Sequence, residues 1–406
     1  MSETTGVRST RQAESNANLP KYERRLNMKS GTLDREILWE TPAGKQVSIT
    51  SRRLVSFANR HVAAISYRVM LLNVAAPIVI SSEMKANEPS AVIDANDPRQ
   101  TRVFAGRILQ ARTSYAKNRR IVLCHATEKG RLTLACATDH SLETSCPNSH
   151  KIACNEDFGQ VAFTIDARPG CPIRLSKYMV YHTSPTAPAE ELCGRAEWTM
   201  DRVMNQGFEQ LLASQEQYLD DFWRRSDVQV RDIREDRTKR STMEIQQAIR
   251  SNLFHILQAS TRAEDAGVPA KGLTGQAYEG HYFWDTEIYV LRFLIYTSPR
   301  IAKNLLRFRY NTLPQARARA KELGHRGTMF PWRTISGEEA SAYYAAGTAQ
   351  YHINADIMYG LRKYVQATGD EAFLRDCGGE MLVETSRLWL DLGFTPMPSH
   401  ASTSVQ

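Results

Sequence analysis

The 406-residue sequence is 42% hydrophobic and 24% charged with a net charge of +8, the balance of an ordinary globular chain of two or three domains. No apolar run approaches the roughly 20 residues of a membrane-spanning helix, and residues 1–20 lack the apolar core of a secretory signal. The seven cysteines are odd in number and include no C-x-x-C pair, which argues against a disulfide framework or a zinc cage and for a reducing cytoplasm.

After a disordered N-terminus over residues 1–20, the sequence from about Leu26 to Thr183 reads as short strands. Gln46–Phe57, Ala63–Leu72 and Pro77–Ser82 are β-branched runs with period-2 tendencies, separated by Gly, Pro and Asn. Arg120–Thr127 and Arg131–Ala137 flank Glu128-Lys129-Gly130, a hairpin signal, and Val161–Ile165 and Ile173–Thr183 continue the series. Short strands with turn punctuation and no helices between them predict an antiparallel β-sandwich over residues 21–188.

The pattern changes near Glu190. Leu192, Met200, Val203, Phe208, Leu211, Leu219 and Phe222 recur at helical spacing, which predicts a helical linker over residues 189–240. Helices follow over residues 241–394. One spans Met243–Ala259, Pro299 is the N1 residue of another, and Pro314 opens a third that closes at Gly324. Ala349–Thr368 ends at Gly369 as its C′ residue, Asp370 caps the next turn, and Glu380–Leu392 is the last. Residues 395–406 are Pro/Ser/Thr-rich without periodicity and read as a disordered tail.

The positive charge is concentrated. Between Pro299 and Arg333 nine Lys/Arg face a single acid, Glu322, while the rest of the chain is near neutral. Arg300, Lys303 and Arg307 lie at i, i+3, i+7 beside the apolar Ile301, Leu305 and Phe308, which is an amphipathic helix with a solvated basic face. No nucleic-acid-binding motif accompanies it, so no nucleic-acid partner is expected.

Two loops concentrate chemistry. Lys271–Glu287 (KGLTGQAYEGHYFWDTE) brings three glycines together with Tyr278, Tyr282, Phe283, Trp284, His281 and Asp285. Sugar rings stack on indole and carboxylates grip vicinal hydroxyls, so Trp284 and Asp285 suit a carbohydrate site. They equally suit a core tryptophan and a helix cap. Gly327–Glu339 repeats the combination in Trp332-Arg333, stiffened by Pro331. His352 and Asp356 share a helix face at i, i+4. Without a third ligand at suitable spacing they read as a packing pair, and no metal site is expected.

The stretches KGLTGQAYEGHYFWDTEIY, NLLRFRYNTLPQARARAKELGHRGTMFPWRTISGEE and GTAQYHINADIMYGLRKYVQATGDEAFL, with the linker YLDDFWRRSDVQV and the strand-rich segment from Glu23, resemble glycoside hydrolase family 65 over roughly residues 22–394. That family includes maltose, trehalose, kojibiose and nigerose phosphorylases. The resemblance implies a multidomain β + α fold: a partial antiparallel β-sandwich, a helical linker and about the first half of an (α/α)6 barrel. It implies an α-linked glucose disaccharide and inorganic phosphate as substrates, no cofactor, and a homodimer for a complete enzyme. Trp284, Asp285, Trp332 and Arg333 fall on substrate-binding positions, although many members carry Glu where Arg333 stands. The family's general acid lies in a G-P-D-E-Y segment that does not occur in these 406 residues, so that acid is expected beyond Gln406. No catalytic residue is therefore assigned, and the chain is read as a fragment truncated at both ends and inactive alone. The alternatives are a trehalase-like hydrolase of the same family or an inactive carbohydrate-binding remnant.

Overall fold

The computed structural model describes residues 18–87, 107–127, 132–231, 241–260, 266–273, 277–341 and 348–393. The readings made for residues 1–17, for Glu128-Lys129-Gly130 and for the tail at 395–406, which ends in Gln406, fall outside them. The chain divides into two compact units, with the change at Arg224/Arg225.

The first unit is an antiparallel β-sandwich. Its strands are β1 (Asn18–Asn27), β2 (Thr32–Glu40), β3 (Gln46–Val55), β4 (Val62–Leu71), β5 (Ala76–Lys85), β6 (Leu109–Lys117), β7 (Arg120–Thr127), β8 (Thr133–Glu143), β9 (Asn148–Cys154), β10 (Phe158–Ala167) and β11 (Ile173–Ser184). The larger sheet runs β1-β2-β3-β4-β11-β8-β7-β6 and the smaller β5-β10-β9. Ile49, Ile65, Val69, Leu123 and Leu175 of the larger sheet meet Ile80, Val161, Phe163 and Ile165 of the smaller one in a common core. Strand β1 occupies Asn18–Pro20 of the stretch read as disordered. Backbone pairing with β2 holds this edge strand, from Asn18↔Glu40 to Asn27↔Thr32, and such pairing needs no apolar pattern. Its exposed Lys21, Arg24 and Arg25 are the charges that keep an edge strand from recruiting another chain.

The long helix α1 (Ala189–Ser226) covers the outer face of the larger sheet. Leu192, Ala196, Met200, Val203, Phe208 and Leu211 pack on Leu54, Val62, Ala64, Val122, Ala135 and Val180. The helical stripe read as a linker is thus committed to the sandwich, and burial on both faces explains why β7 is apolar almost throughout. Gly207, at φ 72° and ψ 171°, interrupts the helix, a left-handed excursion that glycine alone makes cheaply.

The second unit is helical: α2 (Thr242–Ser260), α3 (Leu291–Thr297), α4 (Pro299–Asn311), α5 (Leu313–Glu322), α6 (His352–Thr368) and α7 (Gly379–Leu392). Pro299 and Pro314 sit in the first turns of α4 and α5. Gly369 ends α6 in the left-handed conformation, and the Asp370 side chain accepts a hydrogen bond from the Phe373 amide at 3.0 Å. Leu291, Leu294, Leu305, Leu306, Leu361 and Phe373 form one core cluster. Leu313, Ala316, Phe330, Ile353, Ile357 and Met381 form a second. Among the described residues no helix is long and apolar enough to cross a membrane.

Candidate functional site

The two aromatic loops are joined through their backbones. The Tyr282 amide donates to the Thr334 carbonyl at 2.7 Å, and the Thr334 amide returns a bond to the Tyr282 carbonyl at 3.1 Å. This isolated two-bond bridge fixes the residue before Phe283-Trp284-Asp285 against the residue after Trp332-Arg333. Phe283 meets Trp332 edge-to-face at 5.9 Å between ring centroids, and both Trp284 and Trp332 pack on the second helical cluster. Trp284 and Trp332, 48 residues apart in sequence, therefore share one support.

Trp284 is half-buried and packs edge-on against His352 at 4.8 Å. Asp285 stands at the N-terminus of a π-helical turn (Thr286–Val290) that leads into α3, yet its side chain makes no capping bond and is exposed. The helix-cap role that the sequence allowed for this aspartate is therefore not realised.

Arg333 Nη2 donates to Glu279 Oε2 at 3.1 Å, while Arg333 Nε is buried without a hydrogen-bond partner among the described residues. Glu279 and its neighbour Tyr278 both adopt left-handed backbone, at φ 51° and 62°, a conformation costing about 1–3 kcal/mol each for residues with side chains. The Arg333–Glu279 pair and the edge-on contact of Tyr278 with Phe283 at 5.3 Å help hold this turn. Burial raises the Tyr282 phenol above its ordinary range.

Two further carboxylates of the loops serve structure. Glu287 receives both Arg309 Nε at 2.6 Å and Nη2 at 3.0 Å in a pair whose side chains are 4% and 2% exposed. Glu339 accepts from the amides of Trp332 at 2.8 Å, Arg333 at 3.3 Å and Ser341 at 3.1 Å, so it clamps the loop that carries the second tryptophan. Sequence reasoning gave neither of these roles, nor that of Asn354. That buried amide accepts from the Phe330 amide at 3.1 Å and donates to the Thr328 carbonyl at 2.7 Å, tying the same loop to α6. A glutamate shortly after Trp-Arg was the available signal for the clamp. The general acid expected beyond Gln406 lies outside the described residues, which end at Gly393. The basic segment is also largely committed: beyond Arg309, Lys303 pairs with Asp370 and Arg317 with Glu380 and Glu384.

His352 Nδ1 lies 2.8 Å from Asp356 Oδ2 and its Nε2 3.1 Å from Gln350 Oε1. Among the described residues no three His, Cys, Asp or Glu side chains are grouped to hold a metal.

Residues 11–222 match the N-terminal domain of glycosyl hydrolase family 65, and residues 250–398 match the central catalytic domain of the same family. The chain belongs to glycosyl hydrolase family 65. It is 41% identical over 372 residues to alpha,alpha-trehalose phosphorylase of Thermoanaerobacter brockii, covering 92% of this chain and 47% of that protein. Against kojibiose phosphorylase of Halothermothrix orenii it is 28% identical over 400 residues, covering 91% and 48%. A solved structure named "Putative kojibiose phosphorylase from human microbiome" superposes with a TM-score of 0.82 at 24% identity, covering 95% of this chain and 48% of that one. This likeness supports the fold. The chain spans about half the length of the curated relatives it matches.

Proposed function

We propose that this chain is the sandwich and leading helical portion of an inverting α-glucoside phosphorylase, and that Trp284, Asp285, Trp332 and Arg333 hold the glucose unit of a disaccharide. The observation that carries this reading is the division of labour among the loop carboxylates. Glu287 and Glu339 are spent on an ion pair and a backbone clamp, whereas Asp285 is exposed and caps nothing, next in sequence to Trp284, which shares its support with Trp332. An exposed carboxylate beside indole rings grips vicinal hydroxyls with charge-assisted hydrogen bonds while the rings take the sugar's C–H faces. The buried Arg333 Nε adds one donor without a partner among the described residues.

In this reading the helices are about half of an (α/α)6 barrel, and the general acid follows Gln406 in a complete enzyme. The reaction is attack of phosphate on the anomeric carbon from the face opposite the leaving sugar, whose oxygen a carboxylic acid protonates, giving β-glucose 1-phosphate. An inverting hydrolase needs a second carboxylate to activate water; phosphate is already a competent nucleophile. That the named relatives are trehalose and kojibiose phosphorylases favours phosphorolysis over hydrolysis.

The experiment measures glucose 1-phosphate and free glucose released from trehalose, kojibiose, nigerose and maltose with phosphate. The 406-residue chain alone is expected at background, because general acid catalysis contributes on the order of 10²–10⁴-fold and no G-P-D-E-Y segment is present. Joined to the C-terminal portion of the Thermoanaerobacter protein, it is expected to release glucose 1-phosphate, and Asp285→Ala is expected to abolish that release. Undiminished turnover in the Asp285→Ala fusion would remove the site assignment. Release of glucose without phosphate consumption would turn the reading to hydrolysis.

A further inference from the structure

Two thiols in the sandwich lie within reach of bonding. Cys146 Sγ and Cys171 Sγ are 3.0 Å apart, and a disulfide needs about 2.0 Å, so roughly 1 Å of approach closes the gap. Cys146 precedes β9 and Cys171 precedes β11, which puts them on two neighbouring connections. Both connections are held by backbone bonds: the Asp166 amide donates to the Pro147 carbonyl at 3.0 Å, Gly170 to Leu71 at 2.8 Å and Cys171 to Arg168 at 3.2 Å. The partners differ in access. Cys146 is 3% exposed in the core between the sheets, whereas Cys171 is half-buried at its edge.

We propose that Cys146 and Cys171 form a reversible dithiol–disulfide pair, with Cys171 as the entering thiol and a low-molecular-weight disulfide as the oxidant. Cys171 thiolate attacks one sulfur of the small disulfide and expels one thiolate, leaving a mixed disulfide on Cys171. Cys146 loses its proton to the solvent and attacks the Cys171 sulfur, expelling the second small thiolate. Two protein thiols are oxidised to one disulfide, and one small disulfide is reduced to two thiols. The surroundings suit these roles. The Ser145 hydroxyl, 3.2 Å from Cys171 Sγ, and the Cys146 thiol stabilise a thiolate on Cys171, lowering its pKa to about 7, where the attacking form is populated near neutrality. The other adjacent thiols, Cys124 and Cys193, are buried between sheet and helix and offer no entry for a small disulfide.

The full chain would be equilibrated with reduced and oxidised glutathione at a series of ratios, alkylated, digested without reductant and examined by mass spectrometry. Two of the seven thiols are expected to disappear together as a Cys146–Cys171 linked peptide. At the same ratios Cys146→Ala, shown folded by circular dichroism, is expected to hold glutathione on Cys171. Cys171→Ser, a change at a half-buried site, is expected to keep Cys146 reduced. The oxidised wild type should melt at a higher temperature than the reduced one, a difference absent in Cys171→Ser. Accumulation of glutathione on Cys171 in the wild type with Cys146 still free would overturn the proposal. So would oxidation of Cys154 or Cys377 while this pair stays reduced.

Discussion

Asp285 and Glu287 are two residues apart in one motif and have opposite fates. One is exposed; the other is buried against Arg309. Sequence spacing could not separate them, because the π-helical turn at Thr286–Val290 alters the phase on which helical spacing arguments rely. The two tryptophans of the candidate site stood out in the sequence, since each lies in an unusual loop beside a charge. The bridge that joins the loops did not, because it is made of backbone atoms and carries no residue signature. The Glu287–Arg309 pair leads to a test at this scale. A buried charge deprived of its partner costs about 3–5 kcal/mol, so Glu287→Gln and Arg309→Met should each lower stability by roughly that amount. The double replacement Glu287→Met/Arg309→Met should recover much of the loss. Denaturant unfolding midpoints of the three variants decide it: equal losses in the double and single variants would show that the pair does not act as a unit.

Among elements, strands with a clear apolar pattern were readable and half-exposed ones were not. β7 matches its reading end to end and β11 to within one residue. β9 is exposed over most of its length, and β6 mixes half-buried with exposed positions, so neither carries the alternation that marks a strand with one buried face. The helix starts at Pro299 and Pro314 and the stop at Gly369 were readable because each depends on a local backbone constraint. The role of α1 was not, since an apolar stripe says that a helix packs but not on what.

Two elements also hold histidines that make the sandwich sensitive to acid. His140 on β8 is 3% exposed, with Nδ1 donating to the Arg119 carbonyl at 3.1 Å and Nε2 accepting from the Ser82 hydroxyl at 2.7 Å. Burial holds its pKa down to about 3. His182 on β11 is held to about 4 by burial and by His61, which stacks on it at 3.9 Å. Both values lie below the roughly 6.5 of an unfolded histidine, so the unfolded chain takes up the protons first. Their stabilising contribution is present above about pH 6.5 and declines as pH falls. Thermal midpoints should therefore fall between about pH 6.5 and 5, where ordinary carboxylates are still ionised. His140→Gln should flatten that dependence, and an unchanged slope would refute the assignment.

At the scale of the molecule, the switch near Glu190 from period-2 to helical spacing foretold a β unit followed by a helical unit. What composition did not show is where the apolar surface remains open. On α7, Leu382, Val383, Trp389 and Leu390 are 38%, 51%, 42% and 80% exposed, although Leu388 and Met381 of the same helix are fully buried. Such a cluster should bind a hydrophobic fluorescent dye, and Leu390→Lys should reduce the signal without changing the circular dichroism spectrum. Equal dye binding by the variant would place the surface elsewhere. The strand order has a further consequence for synthesis. β11 lies in the middle of the larger sheet, paired with β4 on one side and β8 on the other. As the chain leaves the ribosome, β1–β4 and β6–β8 must wait as two separate half-sheets, each with an open edge, until the last strand arrives between them. Nascent chains released before Ile173 should be protease-sensitive and should aggregate. Those that extend through α1 should become resistant in a single step, which makes the twelve residues of β11 the keystone of co-translational folding.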